Sequence, residues 1–202
     1  MAYLWRTLTP WQRAALLAWR KRHSFPWHSP PHARFGRGTY HLTAACLNHA
    51  HYIGRSCERM REFCEALLAA LAPVTTGIHA WCVLPNHYHL LVSVPDLRDA
   101  TRALGRLHGQ LSFRWNQEEQ MRGRKVWHAA ADRFIRSARH FWATMNYIHH
   151  NPVRHGYVKR WQDWPYSSAR EFLSAVGPDE AERIWRAFPV KDYGAGWDEP
   201  WM

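Results

Sequence analysis

No apolar stretch of this 202-residue chain approaches the roughly 20 residues that span a bilayer, so no membrane segment is expected. The opening Met1-Ala2-Tyr3-Leu4-Trp5-Arg6 lacks the basic-then-apolar order of an export signal, and the expected location is the cytoplasm, with the nucleoid. Cysteine is sparse. Cys46, Cys57, Cys64 and Cys82 form no C-x-x-C pair, which argues against a disulfide framework and for reduced core residues. Acidic side chains are also short in supply. Against 16 Asp and Glu stand 27 Lys and Arg, a formal net charge of +11 and a pI near 10.0. Such an imbalance favours a polyanionic partner, because basic groups release the counterions condensed on phosphates. Charge alone would equally suit an anionic membrane surface. Internal repeats and low-complexity segments are missing too.

What the chain has in excess is tryptophan, 13 residues of it. Most should anchor a core or an interface. Some could stack on unpaired bases, each such contact being worth about 1–3 kcal/mol.

Three parts are expected: an N-terminal extension over 1–38, a catalytic domain over 39–160 and a Trp-rich tail over 161–202. In the extension, Thr9-Pro10 before an apolar-periodic run predicts a capped helix over 11–20, followed by a Pro/His loop over 26–32. Strands are predicted over 40–46, 76–84 and 87–94, with Pro85-Asn86 as the turn between the last two. Residues 126–127 are read as the start of a short fourth strand. Helical spacing of apolar residues predicts helices over 55–71 and 97–118. A third helix over 141–151 should stop before Pro152, and a fourth lies over 168–176. The order strand–helix–strand–strand–helix–strand is the split βαβ arrangement. It predicts an α+β, ferredoxin-like antiparallel sheet with helices on one face, the other being covered or left for a ligand.

Two short motifs carry chemistry. In His87-Tyr88-His89 the alternation of a strand sends both imidazoles to one face and Tyr88 to the other. Two imidazoles so placed can share a cation, although H-x-H alone is more often structural; His49-Ala50-His51 repeats it in a segment read as loop. In Asn146-Tyr147-Ile148-His149-His150-Asn151-Pro152, Tyr147 and Asn151 lie four apart on one helix face. A phenol has a pKa near 10 and needs help to attack at neutral pH, help that a divalent ion would give. Alone, Tyr147 would be read as a core tyrosine.

Taken together, residues 84–92 (Leu-Pro-Asn-His-Tyr-His-Leu-Leu-Val) and 146–158 resemble the HUH single-tyrosine transposases of the IS200/IS605-like superfamily. The likeness is strongest to the REP-associated tyrosine transposases. It runs from about Arg37 to Ser168 and takes in residues 40–44, 132–136 and 163–168. The resemblance implies a ferredoxin-like domain that acts on single-stranded DNA. It implies His87 and His89 as ligands of Mg²⁺ or Mn²⁺, Asn151 as a third ligand and Tyr147 as the nucleophile. It further implies a 5′-phosphotyrosine intermediate and REP hairpins, short palindromes with a flanking tetranucleotide, as targets. Relatives of this type are monomers or homodimers.

Arg37, Arg102, Arg106, Lys125, Arg133, Arg136, Arg154 and Lys159 are the candidate phosphate contacts, which would position DNA without reading it. Trp161, Trp164 and Tyr166 are candidate stacking residues, with core packing the commoner fate. Two other readings compete with strand transfer. A non-catalytic hairpin-binding module would leave the H-x-H pair and the Tyr/Asn pair unexplained, and a metallohydrolase would use water in place of Tyr147. His149, His150 and Lys159 are near enough in sequence to take the tyrosine proton, and nothing selects among them.

Overall fold

Alternate residues of four strands face two apolar layers, with a bulge between Ile78 and Ala80, and that alternation organises the molecule. The computed structural model describes residues 9–22, 36–191 and 193; the Pro/His loop over 26–32 lies outside them. Strands β1 (Gly38–Ala45), β2 (Gly77–Leu84), β3 (His87–Val94) and β4 (Ala131–Phe134) form one sheet in the order β2-β3-β1-β4. All neighbours are antiparallel, and β3 is inserted between β1 and β2. This is the ferredoxin-like sheet that the order of elements predicts.

Helix α1 (Pro10–Arg22) opens as expected: Thr9 Oγ1 accepts from the Gln12 N–H, and Gln12 Oε1 accepts from the Thr9 N–H. Helices α2 (Cys57–Leu71) and α3 (Leu97–Glu118) cover one face of the sheet. Ser56 and Asp96 cap them through Arg59 N and Arg98 N. Their apolar stripes meet Tyr40, Leu42, Ala44, Val83, Tyr88, Leu90 and Val92. The opposite face is also covered. There α4 (Ala138–Arg154) packs Met145 and Ile148 against Ala80, Cys82, Leu84 and Leu91.

Several boundaries depart from expectation. The fourth strand runs from Ala131, not from residues 126–127. Thr43 faces Ala131 but Cys46 bridges to Trp127, a register shifted by one residue, so a bulge detaches Trp127 from the ladder. Helix α4 passes through Pro152 and ends at Arg154. The missing Pro N–H falls in the last turn, where His155 N still donates to Asn151 O (3.1 Å) and Gly156 turns the chain at φ +73°. A proline inside a helix interior costs about 3 kcal/mol; here Pro152 and Ile148 are buried against the rest of the chain. Cys46, Cys64 and Cys82 are buried and reduced, but Cys57 is exposed at the start of α2.

Residues 161–191 pack against the rest of the chain. The segment 166–168 lies along the open edge of β2: Val83 N donates to Tyr166 O (2.8 Å) and Ser168 N to Trp81 O (3.0 Å). Helices α5 (Ala169–Val176) and α6 (Pro178–Ala187) follow. The second was not anticipated, although Pro178 at its start followed by Asp179 and Glu180 is a regular helix opening. Trp164 Nε1 donates to Val83 O (2.8 Å), and Trp161 and Trp185 pack with Phe172 and His149 behind α4. These tryptophans are structural anchors. Among the described residues no helix is long and apolar enough to cross a membrane.

Candidate active site

His87, His89 and Leu91 point from β3 toward α4, while Tyr88 and Leu90 point into the α2/α3 layer. The two imidazole rings stand edge to face, 5.0 Å between centroids. Asn151, one helical turn beyond Tyr147, brings Oδ1 to 3.1 Å from His87 Nε2. Tyr147 sets its ring edge-on to His89 at 5.2 Å. The four residues read from the sequence as one site are therefore brought together across the β3/α4 interface.

Which nitrogen of His87 carries the proton follows from its neighbour. Asn86 Nδ2 donates to the His49 carbonyl (3.1 Å), so Asn86 Oδ1 is the atom 2.7 Å from His87 Nδ1. His87 Nδ1 then donates, and Nε2 of the neutral ring holds a lone pair. That lone pair faces the Asn151 amide oxygen at 3.1 Å; a cation between the two acceptors would join them, as would the amide turned to present Nδ2, which has no hydrogen-bond partner of its own. Adjacent ligands of an octahedral ion with bonds of about 2.1 Å stand about 3.0 Å apart. Among the described residues no three His, Cys, Asp or Glu side chains form a metal-holding group. The two imidazoles therefore need a ligand of another kind, and the Asn151 oxygen is at hand. The residues fit a hard or borderline divalent ion.

Three residues of the site were not singled out from the sequence. His41 on β1 is 2% exposed and places Nε2 3.1 Å from His89 Nδ1. With His89 Nδ1 donating, His89 Nε2 is left for a ligand, the usual support of a ligating histidine. Its signal was a polar residue on a strand of core residues, but only the register, with His41 opposite Leu91, sets it diagonally beside His89. His155, in the turn after α4, packs edge-on to His87 at 5.0 Å. Tyr193 lies over Tyr147: its ring is 5.5 Å from Tyr147 and 6.3 Å from His41, and its hydroxyl is hydrogen-bonded with Thr144 Oγ1 (2.6 Å). Tyr147 is only 1% exposed.

Cationic groups gather on the same side. The Arg154 guanidinium carbon lies 5.8 Å from the Tyr147 ring centre, and that of Arg133 lies 5.7 Å from Tyr193. Burial, then Arg133 and Arg136, holds His140 beside Tyr193 below the ordinary histidine range. The remaining basic candidates are scattered. Arg102 and Arg106 are exposed on the outer side of α3, across the sheet from Tyr147. Arg37 precedes the end of β1 that pairs with Val94, about 25 Å along the strand from the His87 end. Lys125 and Lys159 are exposed; Lys125 precedes Val126, whose carbonyl accepts from Leu47 N near the His87 end.

Neither neighbouring histidine is placed as a partner for the phenol. His149 bonds to Ser168 Oγ (3.0 Å) and stacks on Trp161, and burial lowers its pKa to about 3. His150 bonds to the Asn146 carbonyl and packs on the same tryptophans.

No protein-family model matches the chain. It is similar to a REP-associated tyrosine transposase of Escherichia coli (strain K12), 30% identical over 126 residues, which is 59% of this chain and 67% of that relative. It is also similar to one of Haemophilus influenzae, 31% identical over 113 residues and 50% of this chain; the match spans 64% of that relative's length. A solved REP-associated tyrosine transposase bound to a REP hairpin shares the fold, with a TM-score of 0.58 at 22% identity, covering 75% of this chain and 90% of that one.

Proposed function

The chain belongs to the REP-associated tyrosine transposase family, and from that membership we propose that it is a metal-dependent single-stranded DNA endonuclease and strand transferase acting on REP-type hairpins. The observation that carries the reading is the convergence of His87, His89, Asn151 and Tyr147 from two elements sixty residues apart.

In this reading His87 Nε2, His89 Nε2 and Asn151 Oδ1 hold Mg²⁺ or Mn²⁺. The ion, when bound, polarises the scissile phosphate and favours the phenolate. Asn86 accepts from His87 Nδ1, and with His41 Nε2 as acceptor His89 Nδ1 would donate likewise, so that each imidazole presents Nε2 to the ion. Tyr147 Oη loses its proton and attacks phosphorus. The Oη–P bond forms, the P–O3′ bond breaks, and the released 3′-oxygen departs as a hydroxyl. The 5′-phosphotyrosine keeps the energy of the broken ester, so a 3′-hydroxyl from the same or another strand can reverse the step and join DNA. Arg154 faces the reacting phenol and stabilises the negative charge on the phosphate oxygens. Arg133 and Arg136 hold the flanking backbone on the same side. The hairpin as partner is supported by the family and by the excess of basic residues.

The burial of Tyr147 under Tyr193 favours one second reading, a module that binds the hairpin without cutting it. A denaturing-gel assay separates the two. Protein is mixed with labelled single-stranded hairpin DNA from its own genome and Mg²⁺ or Mn²⁺. A covalent adduct is expected for the natural chain and none for Tyr147→Phe or for His87→Ala/His89→Ala, with hairpin binding kept by Tyr147→Phe. Tight binding without adduct or cleavage would establish the second reading. Cleavage that survives Tyr147→Phe would assign the attack to water.

A further inference from the structure

The turn that joins β2 to β3 is gripped by the loop 46–55 more firmly than a two-residue hairpin needs. Cys46 N donates to the Asn86 carbonyl (2.7 Å), and Gly54 N donates to the Pro85 carbonyl (2.8 Å). Gly54 lies so close that a Cβ there would meet Pro85 Cβ at 2.3 Å. Within this loop two consecutive non-glycine residues are left-handed, Asn48 (φ 55°, ψ 27°) and His49 (φ 51°). Such backbone is sparsely populated and collects at functional sites. Here its product is visible: the His49 carbonyl is aimed at Asn86 Nδ2, 3.1 Å away.

That single bond decides the face Asn86 shows to His87. With Nδ2 engaged, Oδ1 meets His87 Nδ1 at 2.7 Å. If the amide were free to rotate, its NH₂ would meet Nδ1. The ring would then carry its proton on Nε2 and donate it to Asn151 Oδ1, closing the place where a ligand bond forms. We infer that Asn86 is a positioning residue for His87, and that the left-handed pair Asn48–His49 fixes it in the orientation that keeps His87 Nε2 unprotonated and open to a divalent ion. The inference rests on the proposed metal site. It adds the element outside β3 and α4 that sets the site's tautomer.

The test uses the full chain. Mn²⁺ affinity is measured by electron paramagnetic resonance, and the His87 tautomer of the metal-free protein is read from long-range ¹H–¹⁵N NMR. The natural chain should show His87 protonated on Nδ1. Asn86→Ala should weaken Mn²⁺ binding by about 10-fold or more, the range found for lost outer partners of ligating histidines. Asn86→Asp should recover most of the affinity lost in Asn86→Ala, since either carboxylate oxygen accepts the same proton even though the bond to the His49 carbonyl is lost, and this rescue excludes a general loss of fold. An Nε2-protonated His87 in the natural chain overturns the inference without any variant. So does Mn²⁺ binding by Asn86→Ala within twofold of the natural chain. A natural chain that binds no Mn²⁺ but has the Nδ1-protonated ring sinks the metal-dependent reading and leaves the role of Asn86 in place.

Discussion

Acidification from pH 7 to pH 5 should destabilise this protein through His108, by an amount that can be worked from its surroundings. The side chain lies on the inner face of α3, 9% exposed, with Nε2 3.1 Å from Tyr88 Oη and its ring stacked on Trp127 at 4.2 Å. Burial draws its pKa from the ordinary 6.5 down to about 4. Burial also pushes the Tyr88 phenol up, so Tyr88 stays protonated and donates to the neutral imidazole. The unfolded chain takes up a proton at this histidine as the pH falls below 6.5, whereas the folded chain does not until about pH 4. The contribution is therefore fully present above pH 6.5 and is lost progressively on the way down to about pH 4. Linkage between those two pKa values gives a loss of about 1.8 kcal/mol from pH 7 to pH 5. His108→Gln removes the titration and keeps an acceptor for Tyr88. Urea unfolding of both proteins at the two pH values isolates the effect, because every other titrating group is common to them. The natural chain should lose about 1.8 kcal/mol more than the variant. Equal losses would refute the reasoning.

Two further outcomes bear on the site. Tyr193→Ala should speed formation of the covalent adduct and make Tyr147 reactive toward a phenol-modifying reagent; an unchanged or slower rate would mean that Tyr193 does not gate the nucleophile. Arg154→Ala should slow cleavage about 10–100-fold, and Arg154→Lys should restore part of it if charge near the phenol is what matters. Measured rates that fall equally for both would assign Arg154 to geometry instead.

Much of the molecule was legible because its periodicities are unambiguous. The stripe through Met60, Phe63, Cys64, Leu67 and Leu71 could only be a helix against a core. The alternation in β3 had already separated His87 and His89 from Tyr88. Pro152 misled, because a proline in the last turn of α4 removes one N–H donor without ending the helix, whose capping N–H, from His155, still reaches the Asn151 carbonyl. Residues 126–127 misled as well, since a bulge cannot be seen before the partner strand is known. Helix α6 was legible in Pro178, Asp179 and Glu180, but no helix was predicted beyond residue 176. Arg102 and Arg106 share a helix face as expected, but the apolar stripe of α3 turns that face away from the site.

The sequence by itself determined most of the elements, the sheet order implied by their succession, and the four residues from which the family's chemistry can be read. Each depends on spacing along the chain: two residues on a strand, four on a helix. Tertiary structure decided everything that depends on which strand lies beside which. Antiparallel register placed His41 beside His89, and the grip of the loop 46–55 on the Pro85–Asn86 turn set the tautomer of His87. The passage of the chain behind α4 brought Tyr193 over Tyr147. These contacts join residues 37 to 48 positions apart, and no local period records them.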